Sequence, residues 1–175
     1  MKSKIILFIT VLLTFMLQTT VIERISIGSI EPNLVLIFVV CMGVLRGRKS
    51  GMWVGFFSGL LIDMFYGSLF GFYALIYVYI GFFSGYSHRL FYDDDTKVYL
   101  MTVFVCDLLF NFAVYGLQFL LRGRLSLGSY LIRIIIPEVF YTTFLTLLVY
   151  RIFHFVNYHL MTPVKKESES IWVIK

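Results

Sequence analysis

Charge is scarce in this chain of 175 residues: Asp, Glu, Lys and Arg make up only 14% of it, while 59% is hydrophobic. Soluble domains carry roughly 25% charged residues, so a water-surrounded fold with a polar shell is excluded. A crossing of a bilayer takes about 20 largely apolar residues; some six crossings would use most of the length and leave no separate soluble catalytic head. Cysteine is nearly missing. Cys41 and Cys106 each lie inside an apolar run, with no CxxC or Cys/His cluster beside them, so neither a disulfide framework nor a metal site is expected. No nucleophile elbow, phosphate loop or HExxH occurs, and the expectation is a protein that is not an enzyme and holds no cofactor. The formal charge of +5 does not read as nucleic-acid binding, because the basic residues sit at the ends of apolar runs and not on one face or arm.

What is abundant is aromatic and aliphatic. Nineteen Phe and twelve Tyr fit large lipid-facing and interfacial surfaces. Apolar runs cover Ile5 to Ile22, Asn33 to Leu45, Gly51 to Phe65, Leu69 to Tyr86, Val98 to Leu121 and Pro137 to Val156. They predict an all-α membrane protein, a bundle of about six transmembrane helices. The first run follows Lys2 and Lys4 but lacks a small-x-small cleavage pattern, and is read as a retained helix. The second and third are short for a span, and the third and fourth must form a tight hairpin about Tyr66-Gly67-Ser68. Both termini inside the cell leaves only Arg24, Arg122, Arg124 and Arg133 outside and places the other eleven of fifteen cations in the cytoplasm, with Arg46-Gly47-Arg48-Lys49 the densest group. Residues 1–160 form one transmembrane domain and 161–175 a polar cytoplasmic tail.

Seven of the ten acids fall in loops or the tail; Asp63, Asp107 and Glu138 are embedded in apolar runs. A carboxylate in hydrocarbon is costly, so each must face a protein interior or a wet cavity. Helical rise puts Asp63 about 18 Å and Asp107 about 14 Å from one end of their runs, with Glu138 at a similar depth. The three either build a polar pocket or fix helix packing by hydrogen bonds. On the fifth run Asp107, Asn111 and Gln118 share one stripe, with Tyr115 close by; Thr10, Thr14 and Gln18 make a weaker one on the first. Gly51, Gly55 and Gly59 recur every four residues, and Asp63 continues the series. Gly81 and Gly85 offer a matching smooth face on the next run, suited to close helix approach or to a partner helix. Asp93-Asp94-Asp95 reads as a solvated charge run, and His88, His154 and His159 form no metal spacing.

The stretch Gly51-Met-Trp-Val-Gly55-Phe-Phe-Ser-Gly59-Leu-Leu-Ile-Asp63, then Tyr66-Gly67 and Gly71-Phe72-Tyr73-Ala74-Leu75, resembles the signature region of the MreD family of rod shape-determining membrane proteins. Pro32-Asn33-Leu34-Val35-Leu36, Gly81, Gly85 and Pro137 also fit. The resemblance implies a non-enzymatic component of the bacterial elongation machinery in the cytoplasmic (inner) membrane, working with MreC. It implies links, direct or indirect, to RodA, a class B penicillin-binding protein and the MreB filament in sidewall peptidoglycan synthesis. It also implies a helix layout similar to the substrate-binding subunits of energy-coupling-factor transporters, and it points to Gly51, Gly55, Gly59, Asp63, Gly67, Gly71, Gly81 and Gly85 as the packing or partner-binding signature. The residues alone leave two functions open: a scaffold or regulator that recognises neighbouring helices, a second copy included, and a solute-binding subunit of a vitamin or small-molecule transporter built on the intramembrane acids.

Overall fold

A computed structural model describes residues 2–26, 30–67, 69–90, 96–122, 128 and 131–156. Among the described residues it shows six helices in succession. Helix α1, Lys2–Leu17, runs on through a π turn, Gln18–Ile22, and a last turn, Glu23–Ile25; α2 is Leu34–Arg46, α3 Arg48–Tyr66, α4 Phe72–Leu90 and α5 Thr96–Arg122. Helix α6, Ile136–Val156, follows a π turn at Leu131–Ile135. Pro137 stands at that junction, where it has no N–H to return to the preceding turn. The Asp93–Asp95 run, the Arg122-Gly123-Arg124 pair beyond Arg122, and the tail with His159 lie outside the described residues.

Helix α2 organises the rest. Its 13 residues rise only about 20 Å, short of a hydrocarbon core of about 30 Å, yet it is apolar on every side and every residue from Leu34 to Val44 is buried. A helix hydrophobic all round belongs inside other helices, and α1, α3, α4, α5 and α6 all pack on it. Its N-terminal end therefore meets protein and need not reach the lipid headgroups. Phe38 on α2 meets Phe153 of α6 with ring centroids 5.0 Å apart.

The basic group Arg46 to Lys49 sits on a turn of a single residue. Only Gly47 is non-helical between α2 and α3; its φ of +83° is a left-handed backbone that glycine adopts freely, and its N–H closes the turn on the Gly43 carbonyl at 2.8 Å. Two tight hairpins, α2–α3 and α3–α4, thus stack three helices side by side.

Helices α1 and α6 turn large apolar side chains outward. Ile5, Phe8, Ile9, Leu12, Leu13 and Met16 are exposed on α1, and Phe140, Phe144, Leu147, Leu148 and Ile152 on α6. Apolar surface of that extent has no place in water. Three stretches, Ile5–Ile22, Lys97–Leu117 and Leu131–Phe153, are long and apolar enough to cross a membrane.

Candidate functional site

The glycines at four-residue spacing on α3 meet α4 backbone to backbone. A methyl group on Gly51 would fall 2.8 Å from the Gly43 Cα and against the Gly81 carbonyl; on Gly55 it would meet the Tyr77 carbonyl group; on Gly59, the Ala74 backbone nitrogen at 2.7 Å. From α4, Gly81 faces the Gly51 carbonyl and Gly85 faces Arg48. The smooth faces of the two helices are therefore each other's partner within the chain. Gly43 joins them from α2, against Ser84 and Gly81; a single glycine in a Val- and Leu-rich run carries no periodicity to flag it. Gly67 and Gly71 serve the turn: a methyl on Gly67 would crowd its own chain at Asp63, and Gly71 has a φ of +93° with nothing near it.

Asp63 ends the glycine row and does a different task. Its carboxylate reaches over the turn to the start of α4, where Oδ1 accepts from the Tyr73 N–H at 3.0 Å and Oδ2 from the Ala74 N–H at 2.8 Å. The first N–H groups of a helix have no partner of their own, and a negative charge also suits the positive end of the helix dipole. Asp63 is only 3% exposed, so those two donors satisfy a carboxylate that water does not reach.

A second polar group surrounds the N-terminus of α2. Asn33, the residue before the helix, accepts through its side-chain oxygen from the Leu36 N–H at 2.9 Å and from the Tyr77 hydroxyl at 3.1 Å. Its own N–H donates to the Thr142 hydroxyl of α6 at 3.2 Å. Gln18 accepts from the Leu34 N–H at 2.7 Å and donates to the Pro32 carbonyl at 3.2 Å. Four helices are joined at one helix end. Of the weaker α1 stripe only Gln18 takes part, since Thr10 and Thr14 donate to carbonyls of their own helix. An Asn directly before an apolar run is a helix-start signal, but Tyr77 and Thr142 lie 44 and 109 residues from it, and no local pattern reveals them. Replacing Asn33 by Ala should lower stability by about 2 kcal/mol, the sum of a lost cap and an orphaned buried hydroxyl. Once Asn33 is Ala, Tyr77→Phe should cost little more, a non-additivity that a double-mutant cycle of thermal unfolding measures.

Asp107 and Asn111 are buried beside this group. The Asn111 amide donates to the Asp107 backbone carbonyl at 3.1 Å and faces the Glu138 carboxylate. The Asp107 carboxyl lies near the Thr142 hydroxyl, but neither of its oxygens makes a well-formed hydrogen bond among the described residues. Gln118 lies further along α5 with a side chain outside the described part. A buried carboxyl without partners costs free energy in its charged form. Asp107→Asn should therefore keep or raise the melting temperature of the purified protein; a fall of several degrees would mean that the charge has a partner cation in the folded state.

A cavity of about 250 Å³ opens at this end of the bundle, the end opposite Gly47. Gln18, Glu31, Asn33, Tyr66, Tyr73, Tyr77 and Glu138 line it, with Phe15, Phe110 and Ile62. Of the three intramembrane acids, the structure brings Asp107 and Glu138 together, and sets Asp63 apart in its cap with Tyr73 between the two sites. Among the described residues no three His, Cys, Asp or Glu side chains gather as metal ligands.

An exterior rich in exposed apolar side chains, a helix buried on all sides and three stretches long and apolar enough to cross a membrane define an integral membrane protein of the all-α class. Within that class the chain belongs to the rod shape-determining protein MreD family, whose family model matches residues 2–162. Membership makes it a membrane protein of cell-shape determination. Comparison with curated proteins and with solved structures finds no match.

Proposed function

We propose that this protein is a non-enzymatic scaffold of the bacterial cytoplasmic membrane, crossing it several times with both termini inside, and that it holds MreC in the machinery that directs sidewall peptidoglycan synthesis. RodA, a class B penicillin-binding protein and the MreB filament complete that assembly, directly or through MreC. The observation that carries the reading is a rigid helix block whose surface, on α3, α4 and α5 as well as on α1 and α6, keeps apolar side chains turned outward. Helices α2, α3 and α4 are locked backbone to backbone through Gly43, Gly51, Gly55, Gly59 and Gly81, which makes a stiff block. The apolar faces of α1 and α6 stay turned outward, where another span can pack by shape in lipid. The layout likeness to energy-coupling-factor subunits belongs to this reading too.

Co-purification in detergent tests it. MreC should be retained by the parent protein and lost when Phe144 and Leu148 on the outward face of α6 are both changed to Ala, with folding unchanged; retention after that change, and after the same change on α1, would overturn the assignment. Depletion should round the cells. The solute-binding reading draws its support from the cavity at Glu138, and a ligand that raises the melting temperature of the isolated protein would mark it.

A further inference from the structure

The cavity at the α2 N-terminus combines two kinds of wall. Tyr66, Tyr73, Tyr77 and Phe110 present aromatic rings, and Glu31 and Glu138 present carboxylates. Glu138 lies in the first turn of α6, directly after the π turn Leu131–Ile135. Behind it stands Asp107, fully buried, with both oxygens unpartnered among the described residues and near enough to repel Glu138. The side chains of Asn33, Gln18 and Tyr77 are already engaged: Asn33 oxygen holds Leu36 and Tyr77, and Gln18 holds Leu34 and Pro32. Negative charge at this depth is expensive unless a cation answers it, and aromatic faces attract cations through their quadrupoles, more strongly where water is excluded. Anions fit these walls poorly, since the carboxylates repel them.

We propose that this cavity binds a small organic ammonium ion, with the charged nitrogen at the Glu138 carboxylate and its alkyl part against Tyr66, Tyr73 and Phe110. The volume of about 250 Å³ falls just below the usual range of drug-sized pockets, about 300–1,000 Å³, and suits a group near the size of an amino-acid side chain. This deepens the solute-binding reading by naming the ligand class, and it is independent of whether MreC binds.

The test uses the full chain in detergent micelles, titrated with n-butylammonium chloride, with sodium chloride at equal ionic strength and with n-butanol, and followed by thermal unfolding and ligand-observed NMR. The expected result is a saturable rise in melting temperature with butylammonium alone. Glu138→Gln should weaken it about 10-fold or more, as loss of a charge-assisted contact does. Tyr66→Leu, at a wall residue 61% exposed, should weaken it severalfold. Equal shifts with sodium would reduce the site to a plain cation effect and overturn the proposal. Equal shifts with butanol would do the same for the ligand class while leaving solute binding standing. No shift with any of the three, or undiminished binding in both variants, would overturn it outright.

Discussion

Gly55→Val should be far less stable than the parent, while Gly116→Ala should be as stable as the parent or slightly more so. Both residues lie inside long helices, so helix propensity alone would favour either replacement. What separates them is the neighbour. A Cβ on Gly55 would collide with the Tyr77 carbonyl group and crowd the Val78 nitrogen, whereas one on Gly116 meets nothing within 4 Å among the described residues. The Tyr77 carbonyl is backbone in the middle of α4 and has no rotamer with which to yield. The two helices would have to separate, and separation at Gly55 also loosens Gly51 and Gly59 above and below it. Overpacking in a tight core costs about 1–3 kcal/mol; with rigid backbone on both sides, about 3 kcal/mol or more is expected, a large part of a typical stability of 5–15 kcal/mol. Monodispersity in size-exclusion chromatography and thermal unfolding measure the difference. Equal melting temperatures for the two variants would show that α3 and α4 are not in backbone contact.

The glycine faces were readable because their signal is local: a residue repeated every four positions states both the face and its lack of side chains. The helices themselves were readable for the same reason, within a few residues at each end. The short run from Asn33 left a puzzle, since 13 residues do not span. Burial on all sides resolves it: α2 begins inside protein, and Asn33, Gln18, Tyr77 and Thr142 do at its N-terminus what water or headgroups do for a longer helix. That arrangement is built from contacts between distant parts of the chain, which periodicity does not encode. The acids were readable as buried and costly, but not as different from one another. Asp63 and Asp107 both look like a lone carboxylate in an apolar run; only the fold shows that one finds two backbone donors and the other, among the described residues, no more than the nearby Thr142 hydroxyl.

That contrast predicts opposite outcomes for the same substitution. Asp107→Asn removes an unpartnered charge, whereas Asp63→Asn should destabilise by about 2 kcal/mol and Asp63→Ala by about 3 kcal/mol or more. The carboxylate of Asp63 holds the Tyr73 and Ala74 N–H groups with one oxygen each, and hydrogen bonds to a charged group are worth about 1.5–3 kcal/mol each. Asn keeps one acceptor but turns an NH2 group toward the second donor, so one of the two bonds is lost and a buried N–H is orphaned. Ala loses both, and it also removes the negative charge from the positive end of α4. Because the turn through Gly67 is closed by its N–H on the Asp63 carbonyl at 3.2 Å, a bond the side chain does not make, the hairpin should still form and only its α4 end should fray. Hydrogen exchange separates this from general damage: in Asp63→Ala the amides of Tyr73 and Ala74 should lose protection well before those at Ile80 and Gly81. In Gly55→Val protection should fall along the whole of α4. Uniform loss in Asp63→Ala, or full protection retained at Tyr73 and Ala74, would show that the carboxylate does not cap the helix.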